Sequence, residues 1–361
     1  MSKQKEIFFL LPNLNGGGAE RVVLNLMSAL DKRKYTCKLI LLNNSGEYCS
    51  NIDSQDIIDL KKREGILKYL VYFKLLFAIW KYKPDILFSS MFGLNSIVSL
   101  FKPLLPKYTK LIVRETGVIS KRENVSCIMN SLCKVSLRKS DNVIAQSSDM
   151  LDDLVSNYNV PRDRIIKIFN PIDVVTIQKL QNCESTIIFD SNKYNLLTIG
   201  KFEKQKGYEE LIRSFSRFAH NTNYHLHIVG RGSLKPHYEQ LIDQLRLQHH
   251  VTLYNFVDNP YAILNRADMF LSSSHWEGFP NAVLEALCCG LPVLANNYKG
   301  GISEIINNSN GIIIDMYDGE VLENAIKLAQ SKKWNTELII LDCIANYKLE
   351  KIIVDYEKLF Q

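Results

Sequence analysis

Short apolar runs of strand length alternate along the chain with longer segments whose apolar residues recur at helical spacing. In the first half, strand-like runs cover 6–11, 36–42, 85–89, 110–114, 142–145 and 165–168, and helical segments lie near 19–31, 65–82, 122–140 and 148–157. Such alternation is typical of a parallel sheet with helices on both faces. The pattern therefore predicts an α/β fold.

The alternation stops after Asn170-Pro171-Ile172-Asp173 and begins again near residue 194. Further strand-like runs cover 194–199, 224–229, 251–254, 269–272, 292–295 and 311–314. We expect a first domain over 1–171, a second domain over 172–340 and a last helix over 341–361 that could cross back to the first domain, with the linker between the two domains near 171–193. A cleft between two such domains is the natural place for a ligand.

Length and composition agree with a folded protein of two domains. The chain has 361 residues, 46% of them hydrophobic and 23% charged. Its longest nearly apolar run, 66–80, contains two lysines and is shorter than the roughly 20 residues that cross a bilayer. No secretory leader is recognisable, so we expect a cytoplasmic protein. The eight cysteines include no Cys-x-x-Cys pair, which argues against a zinc site or a disulfide framework.

Positive charge is concentrated in one part of the chain. Residues 61–141 hold 16 Lys or Arg against five acids, a balance of +11 in a chain whose net charge is +6. This asymmetry indicates a polyanionic partner, which could be nucleic acid, an anionic lipid surface or a phosphorylated acceptor. Within it, 61–83 interleaves lysines with aromatic residues, a pattern that suits a helix at a lipid interface and equally a layer helix with a solvated edge.

Three glycines, Gly16, Gly17 and Gly18, follow the first strand and precede a helix. Without side chains, their amide groups could approach an anion or a sugar closely. The loop does not match the Gly-x-Gly-x-x-Gly fingerprint, and the next strand ends in two asparagines rather than an acid that could hold a ribose. A nicotinamide or flavin enzyme is therefore disfavoured.

Two turns of the second domain carry cations after a strand. Gly200-Lys201-Phe202-Glu203-Lys204-Gln205-Lys206-Gly207 brings three lysines before a helix, which suits a diphosphate, although a solvated loop would look similar. Gly230-Arg231-Gly232 repeats the arrangement more weakly after the next strand.

The segment 274–287 is the most specific one. Pro280 fits the first turn of a helix, so that the amides of Phe279, Asn281 and Ala282 could meet a phosphate or sugar hydroxyls. Glu277 precedes this helix and Glu285 lies inside it. Because carboxylates repel an anion, we expect them to bind neutral hydroxyl groups of a sugar and a ribose.

Taken together, these motifs resemble the retaining GT-B glycosyltransferases of glycosyltransferase family 4, particularly the bacterial members that make surface polysaccharides such as O-antigen or capsule. Glu277 to Glu285 is similar to the family's Glu-x7-Glu motif, Gly200 to Gly207 to its Gly-Arg-Leu-x-x-x-Lys-Gly turn, and Gly16 to Arg21 to its Gly-Gly-Ala-Glu-Arg loop. The resemblance implies two Rossmann-like, doubly wound domains facing across a cleft.

The resemblance also implies roles for individual residues. Lys206 and Lys201 would bind the diphosphate of a nucleotide-sugar donor, Glu277 would contact the donor sugar and Glu285 the ribose. The backbone from Gly278 to Asn281 would line the sugar and phosphate. The chain departs from the family in two ways: Lys201 replaces an arginine, and no histidine occurs in the first domain.

The implied reaction moves a hexose or N-acetylhexosamine, with retention and without a metal cofactor, to a glycan acceptor. No Asp-x-Asp motif is present to clamp a metal on the diphosphate, so lysines and helix amides would stabilise it. The expected acceptor is a polyprenyl-diphosphate-linked glycan, reached by a peripheral enzyme on the inner face of the membrane. Alternatives are a nucleotide-sugar epimerase, a non-catalytic donor-binding partner and, less well supported, a nucleic-acid-binding protein.

Overall fold

The computed structural model describes residues 3–46, 48, 53–62, 69–123 and 125–361. The chain forms two compact units, one made of 1–171 with 349–361 and the other of 172–348. We call them unit 1 and unit 2. None of the helices in the described ranges is long and apolar enough to cross a lipid bilayer.

Unit 1 is built on one parallel sheet. Its strands are β1 Lys5–Leu11, β2 Tyr35–Leu41, β3 Ile57–Asp59, β4 Ile86–Ser90, β5 Lys110–Arg114, β6 Asn142–Ala145 and β7 Ile165–Lys167. Its helices are α1 Gly18–Ala29, α2 Leu70–Tyr82, α3 Leu94–Leu100, α4 Cys127–Ser136, α5 Ser148–Tyr158 and α14 Leu349–Phe360. The strand order β3-β2-β1-β4-β5-β6-β7 reverses between β1 and β4, as in a doubly wound fold.

Unit 2 repeats this topology. Its strands are β8 Tyr194–Ile199, β9 Tyr224–Val229, β10 Val251–Tyr254, β11 Met269–Ser272, β12 Val293–Asn296 and β13 Gly311–Ile314. Its helices are α6 Val174–Leu180, α7 Tyr208–Ser216, α8 Lys235–Gln244, α9 Tyr261–Leu264, α10 Asn281–Cys288, α11 Ile302–Ile305, α12 Gly319–Ser331 and α13 Thr336–Tyr347. The order β10-β9-β8-β11-β12-β13 reverses between β8 and β11.

The last helix, α14, belongs to unit 1. Tyr356 and Phe360 are buried in the core beneath the sheet, where both rings pack against Phe88 of β4. The Lys110 ammonium donates to the backbone oxygen of Leu359 at 2.6 Å. The apolar face of this helix thus completes one side of the first sheet.

The α/β prediction of two Rossmann-like, doubly wound domains is confirmed by the two parallel sheets. Two elements of unit 1, β3 and α3, were not expected from the sequence pattern. The helix expected over 122–140 is shorter at both ends, because α4 runs from Cys127 to Ser136 and a 3-10 turn covers Leu137–Lys139. The helix expected near 65–82 is α2, and residues 65–68 lie outside the described residues.

Candidate active site

The candidate site of unit 2 lies where its strand order reverses. The loop that begins at Gly200 follows β8, and the loop that contains Glu277 follows the neighbouring strand β11. In open parallel sheets, ligands bind at the carboxyl ends of the strands at this switch point. The two most informative sequence segments of the second domain therefore meet at one edge of its sheet.

Lys206 and Glu277 are in direct contact at this edge. The Lys206 ammonium lies 2.6 Å from Glu277 Oε1, and the two side chains are 24% and 12% exposed. Ser274 Oγ donates to the same carboxylate oxygen at 2.7 Å. The Gln205 amide donates to Glu277 Oε2 at 3.3 Å and to the Trp276 carbonyl at 2.9 Å. Glu277 is thus held by three side-chain donors, and it fixes the position of the Lys206 charge.

Two glycines allow the Lys206 turn to pack this closely. Gly207 has φ +62°, and a Cβ there would lie 2.2 Å from the Ser273 carbonyl oxygen. A Cβ on Gly200 would lie 3.1 Å from Lys206 Cε. The nearest atom to a Cβ on Gly200 would be Tyr208 Oη at 2.6 Å, so at both places glycine avoids a steric clash with the surrounding loop.

A second layer of polar contacts supports the loop after β11. Tyr317 Oη donates to the Ser273 carbonyl at 2.7 Å and lies 3.0 Å from His275 Nδ1. His275 Nε2 lies 3.2 Å from Glu210. Burial raises the pKa of Tyr317, which keeps its hydroxyl protonated and able to donate. A polar cavity of about 550 Å³ opens beside His275 and Tyr317.

Helix α10 follows the Glu277 loop. It begins at Asn281, so Pro280 is the residue before the helix and not part of its first turn as the sequence suggested. The Pro280 carbonyl accepts from the Val283 amide at 3.0 Å. Glu285 is half-buried and lies four residues after Asn281, on the same face of the helix. Because α10 begins four positions after Glu277, the positive end of the helix dipole is close in sequence to that carboxylate.

The other predicted cations are placed differently. The Lys201 ammonium is half-exposed and lies 4.0 Å from Glu203 of its own loop, and no hydrogen bond or ion pair of the described residues joins it to Lys206 or Glu277. The Arg231 guanidinium lies over the Phe256 ring at 4.6 Å. A role for either residue with a ligand stays a prediction.

The glycine loop predicted to bind a ligand lies in unit 1. Gly16 has φ +79°, Gly17 precedes α1 and Gly18 begins it. A Cβ on Gly17 would lie 2.5 Å from Glu20 Oε2, so this glycine makes room for a buried carboxylate. A ligand at this loop also stays a prediction.

A buried polar cluster at the carboxyl ends of β4 and β5 was missed by sequence reasoning. Arg114 donates to Ser90 Oγ at 3.1 Å and to Asn170 Oδ1 at 2.6 Å. Glu115 is fully buried and accepts from the Asn95 amide at 2.8 Å. Burial raises the pKa of Glu115 and lowers the pKa of Arg114. The signal in the sequence was an Arg-Glu pair directly after an apolar strand.

No three His, Cys, Asp or Glu side chains in the described part of the chain are grouped so that they could hold a metal ion. Ser274 and Gln205 were also missed as functional residues. Ser274 lies three positions before Glu277, so its contact with the carboxylate is local, whereas Gln205 reaches Glu277 only because β8 pairs with β11.

The chain matches two family patterns, "Glycosyltransferase Family 4" over 16–175 and "Glycosyl transferases group 1" over 185–338. It is 29% identical over 318 residues to the N-acetylgalactosamine-N,N'-diacetylbacillosaminyl-diphospho-undecaprenol 4-alpha-N-acetylgalactosaminyltransferase of Campylobacter jejuni, with 84% of each chain covered. The crystal structure of a glycosyltransferase from Rickettsia africae has a TM-score of 0.81 at 20% identity and covers 99% of this chain and 98% of its own. Anabaena HepE, in complex with UDP and glucose, has a TM-score of 0.81 at 16% identity, with 99% of each chain covered. These matches confirm the resemblance seen in the sequence: the chain belongs to the GT-B glycosyltransferases, with a family 4 domain followed by a group 1 domain.

Proposed function

We propose that this glycosyltransferase moves a hexose or N-acetylhexosamine from a nucleotide-diphosphate sugar to a polyprenyl-diphosphate-linked glycan during synthesis of a surface polysaccharide. The observation that carries the proposal is the contact between Lys206 and Glu277 at the switch point of unit 2, beside the start of α10. The Campylobacter relative supports the acceptor class, since its name specifies a diphospho-undecaprenol-linked substrate. The Anabaena complex with UDP and glucose supports the class of sugar donor.

Lys206 would stabilise the diphosphate as it leaves. A lysine ammonium has three N–H groups, so Lys206 can keep its bond to Glu277 and still donate to phosphate oxygens. The amino end of α10 adds a positive dipole, and Lys201 would contribute a second charge. In this proposal these groups replace a divalent metal ion at the diphosphate.

The two glutamates would bind neutral parts of the sugar donor. Glu277 has lone pairs left after accepting from Lys206, Ser274 and Gln205, and these could receive a sugar hydroxyl. Glu285 would accept from the ribose hydroxyls. The backbone over 278–281 would line the sugar and the phosphate.

The reaction would proceed with retention of the anomeric configuration. The acceptor hydroxyl attacks the anomeric carbon from the side of the leaving group and passes its proton to a phosphate oxygen. The new glycosidic bond forms as the bond between the sugar and the diphosphate breaks. No nucleophilic side chain of the protein takes part.

A transfer assay with a synthetic polyprenyl-diphosphate-linked sugar and a panel of nucleotide sugars tests the proposal. We expect transfer to persist in excess EDTA and the anomeric configuration, read by NMR, to be retained. Activity that disappears with EDTA and returns with Mg²⁺ would exclude the metal-independent step. Release of a free, epimerised sugar in place of transfer would favour the epimerase alternative.

Glu285→Ala tests the ribose contact. A hydrogen bond to a charged group contributes ~1.5–3 kcal/mol, so the dissociation constant of the nucleotide sugar should rise roughly 10- to 100-fold with little change in kcat. Glu337→Ala, which removes an exposed glutamate from α13, is the matched control. Equal affinities of the two variants would remove Glu285 from the binding site.

A further inference from the structure

Helix α2 of unit 1 is apolar on two opposite sides. Its inner side is buried in the core. Its outer side carries large aromatic residues at spacings of four, four and three positions, which places them on one face. We call this set the aromatic stripe, and its members, 53% to 71% exposed, are Tyr69, Phe73, Phe77 and Trp80. Such an exposed apolar surface on a folded protein usually marks a binding surface.

A basic cavity of about 550 Å³ lies nearby in unit 1. Its cationic lining, which we call the basic pocket, consists of Lys102, Lys107, Arg138, Lys139 and Arg164. The lining segments come directly before β5, β6 and β7, so the pocket lies at the amino ends of these strands. Lys102 forms an ion pair with Asp141, and no other ion pair among the described residues involves these five cations. The pocket therefore keeps a net positive charge of several units.

The aromatic stripe and the basic pocket form one continuous surface. The Trp80 indole N–H donates to the Leu104 carbonyl at 3.0 Å, and Leu104 lies two residues after Lys102 of the pocket. Leu104 and Tyr108 are themselves 56% exposed. On the flank of α2, the Lys74 ammonium donates to the Leu60 carbonyl at 2.8 Å, which holds one further cation on this helix.

We propose that this surface docks on an anionic lipid leaflet, with the aromatic stripe in the interfacial region and a lipid phosphate group in the basic pocket. Aromatic side chains flanked by lysines suit the boundary between headgroups and acyl chains. A second copy of the chain is a poorer occupant, because a two-fold contact would bring the same positive charges face to face. The proposal rests on the proposed function only in that a lipid-linked acceptor places the enzyme at a membrane.

Vesicle flotation tests the proposal with the full chain. We expect binding to vesicles of phosphatidylcholine and phosphatidylglycerol in a two-to-one ratio, and little binding to phosphatidylcholine alone. Lys107→Glu with Lys139→Glu should weaken partitioning at least roughly 25-fold, because each cation near an anionic leaflet contributes about fivefold. Phe73→Ser with Phe77→Ser should weaken it roughly tenfold per residue. The matched controls, Lys179→Glu with Lys333→Glu and Leu328→Ser with Leu341→Ser, change exposed residues of unit 2 and should bind like the unchanged protein.

Three outcomes would overturn the proposal. Pocket and stripe variants that float like their controls would place lipid binding elsewhere. Saturable binding of inorganic phosphate that is lost in the pocket variant, without vesicle binding, would make the pocket a site for soluble phosphate. A dimer that dissociates in the stripe variant, without vesicle binding, would make the stripe a self-association surface. Because flotation needs no substrate, Lys206→Met should bind vesicles normally, and failure of the proposed reaction would leave this result unchanged.

Discussion

Replacement of Lys206 by methionine removes one charge from the candidate site and keeps most of the apolar stem of the side chain. The lost ammonium lies 2.6 Å from Glu277 Oε1 in a position that is about three-quarters shielded from solvent. A preorganised contact with a developing negative charge is worth ~3–4 kcal/mol in the transition state. We therefore expect turnover to fall by roughly a few hundred-fold or more.

The same substitution should also reduce stability. It leaves the partly buried Glu277 carboxylate without its cation, although Ser274 still donates to it at 2.7 Å. A charge-assisted hydrogen bond contributes ~1.5–3 kcal/mol, and we expect a loss near the lower end because this donor stays in place. Adding Glu277→Gln should recover part of the loss, since the unpaired charge is then gone.

Two measurements separate these effects. Single-turnover kinetics of sugar transfer give the loss in the chemical step, and urea unfolding gives the loss in stability. Lys204→Met, in the same turn but exposed, is the matched control. Turnover by Lys206→Met within about threefold of this control would refute the leaving-group role, because a contact worth ~3–4 kcal/mol cannot be lost so cheaply.

Three further predictions concern stability. Phe360→Ala should lower the unfolding free energy of unit 1 by ~3–5 kcal/mol in urea, because the ring is fully buried against β4; a loss below about 1 kcal/mol would contradict this packing. Burial lowers the pKa of the His227 imidazole to about 3, so the unfolded chain takes up a proton at a higher pH than the folded chain does. Below pH 6.5 the free energy of unfolding should therefore fall by up to ~1.4 kcal/mol per pH unit. Urea midpoints of His227→Gln that fall with pH as much as those of the unchanged protein would argue against this. Burial raises the pKa of the Glu115 carboxyl above its ordinary value of 4.5, so its contribution to stability is present below pH 4.5 and is lost as pH rises towards the folded-state pKa. Glu115→Gln should remove this part of the pH dependence of the unfolding free energy, and a pH dependence equal to that of the unchanged protein would disprove it.

The central strands could be predicted because both faces of each sheet are covered. The last five of the seven residues of β1 are buried and apolar, and all five residues of β4 are buried, of which the first three are apolar. The edge strand β3 has three half-buried residues, too few to produce a pattern. The fold class could thus be predicted from the central strands of each sheet, whereas the edge strand β3 could not be predicted.

Helix α3 escaped prediction for a different reason. Its buried face includes Asn95, Ser96 and Ser99, so the usual equation of buried with apolar fails there. Ser99 Oγ bonds Ser140 Oγ at 2.7 Å, and Ser89 Oγ donates to Asn95 Oδ1 at 2.8 Å. Ser140 lies 41 positions from Ser99, and a single sequence does not show which polar residues will find such partners.

The candidate site could be predicted as a set of residues but not as a set of contacts. Lys206 and Glu277 are 71 positions apart, and only the pairing of β8 with β11 brings their loops together. The resemblance to a family pointed to Lys206 and Glu277 as residues of one site. It did not indicate that Lys206 and Glu277 bond each other, or that Ser274 and Gln205 hold the carboxylate.

In unit 1, a buried polar cluster and the proposed docking surface lie at opposite ends of the same strands. In both units, buried polar side chains gather at the carboxyl ends of central strands, where Glu115 follows β5 and Glu277 follows β11. Burial of such groups costs free energy unless they are hydrogen-bonded, so each cluster has to be organised by the surrounding fold. The basic pocket of unit 1 lies at the opposite, amino-terminal ends of β5, β6 and β7, and its cations are surface groups. Because the pocket and the cluster around Glu115 lie at opposite ends of the same strands, substitutions in the pocket should weaken the proposed lipid binding without disturbing the cluster.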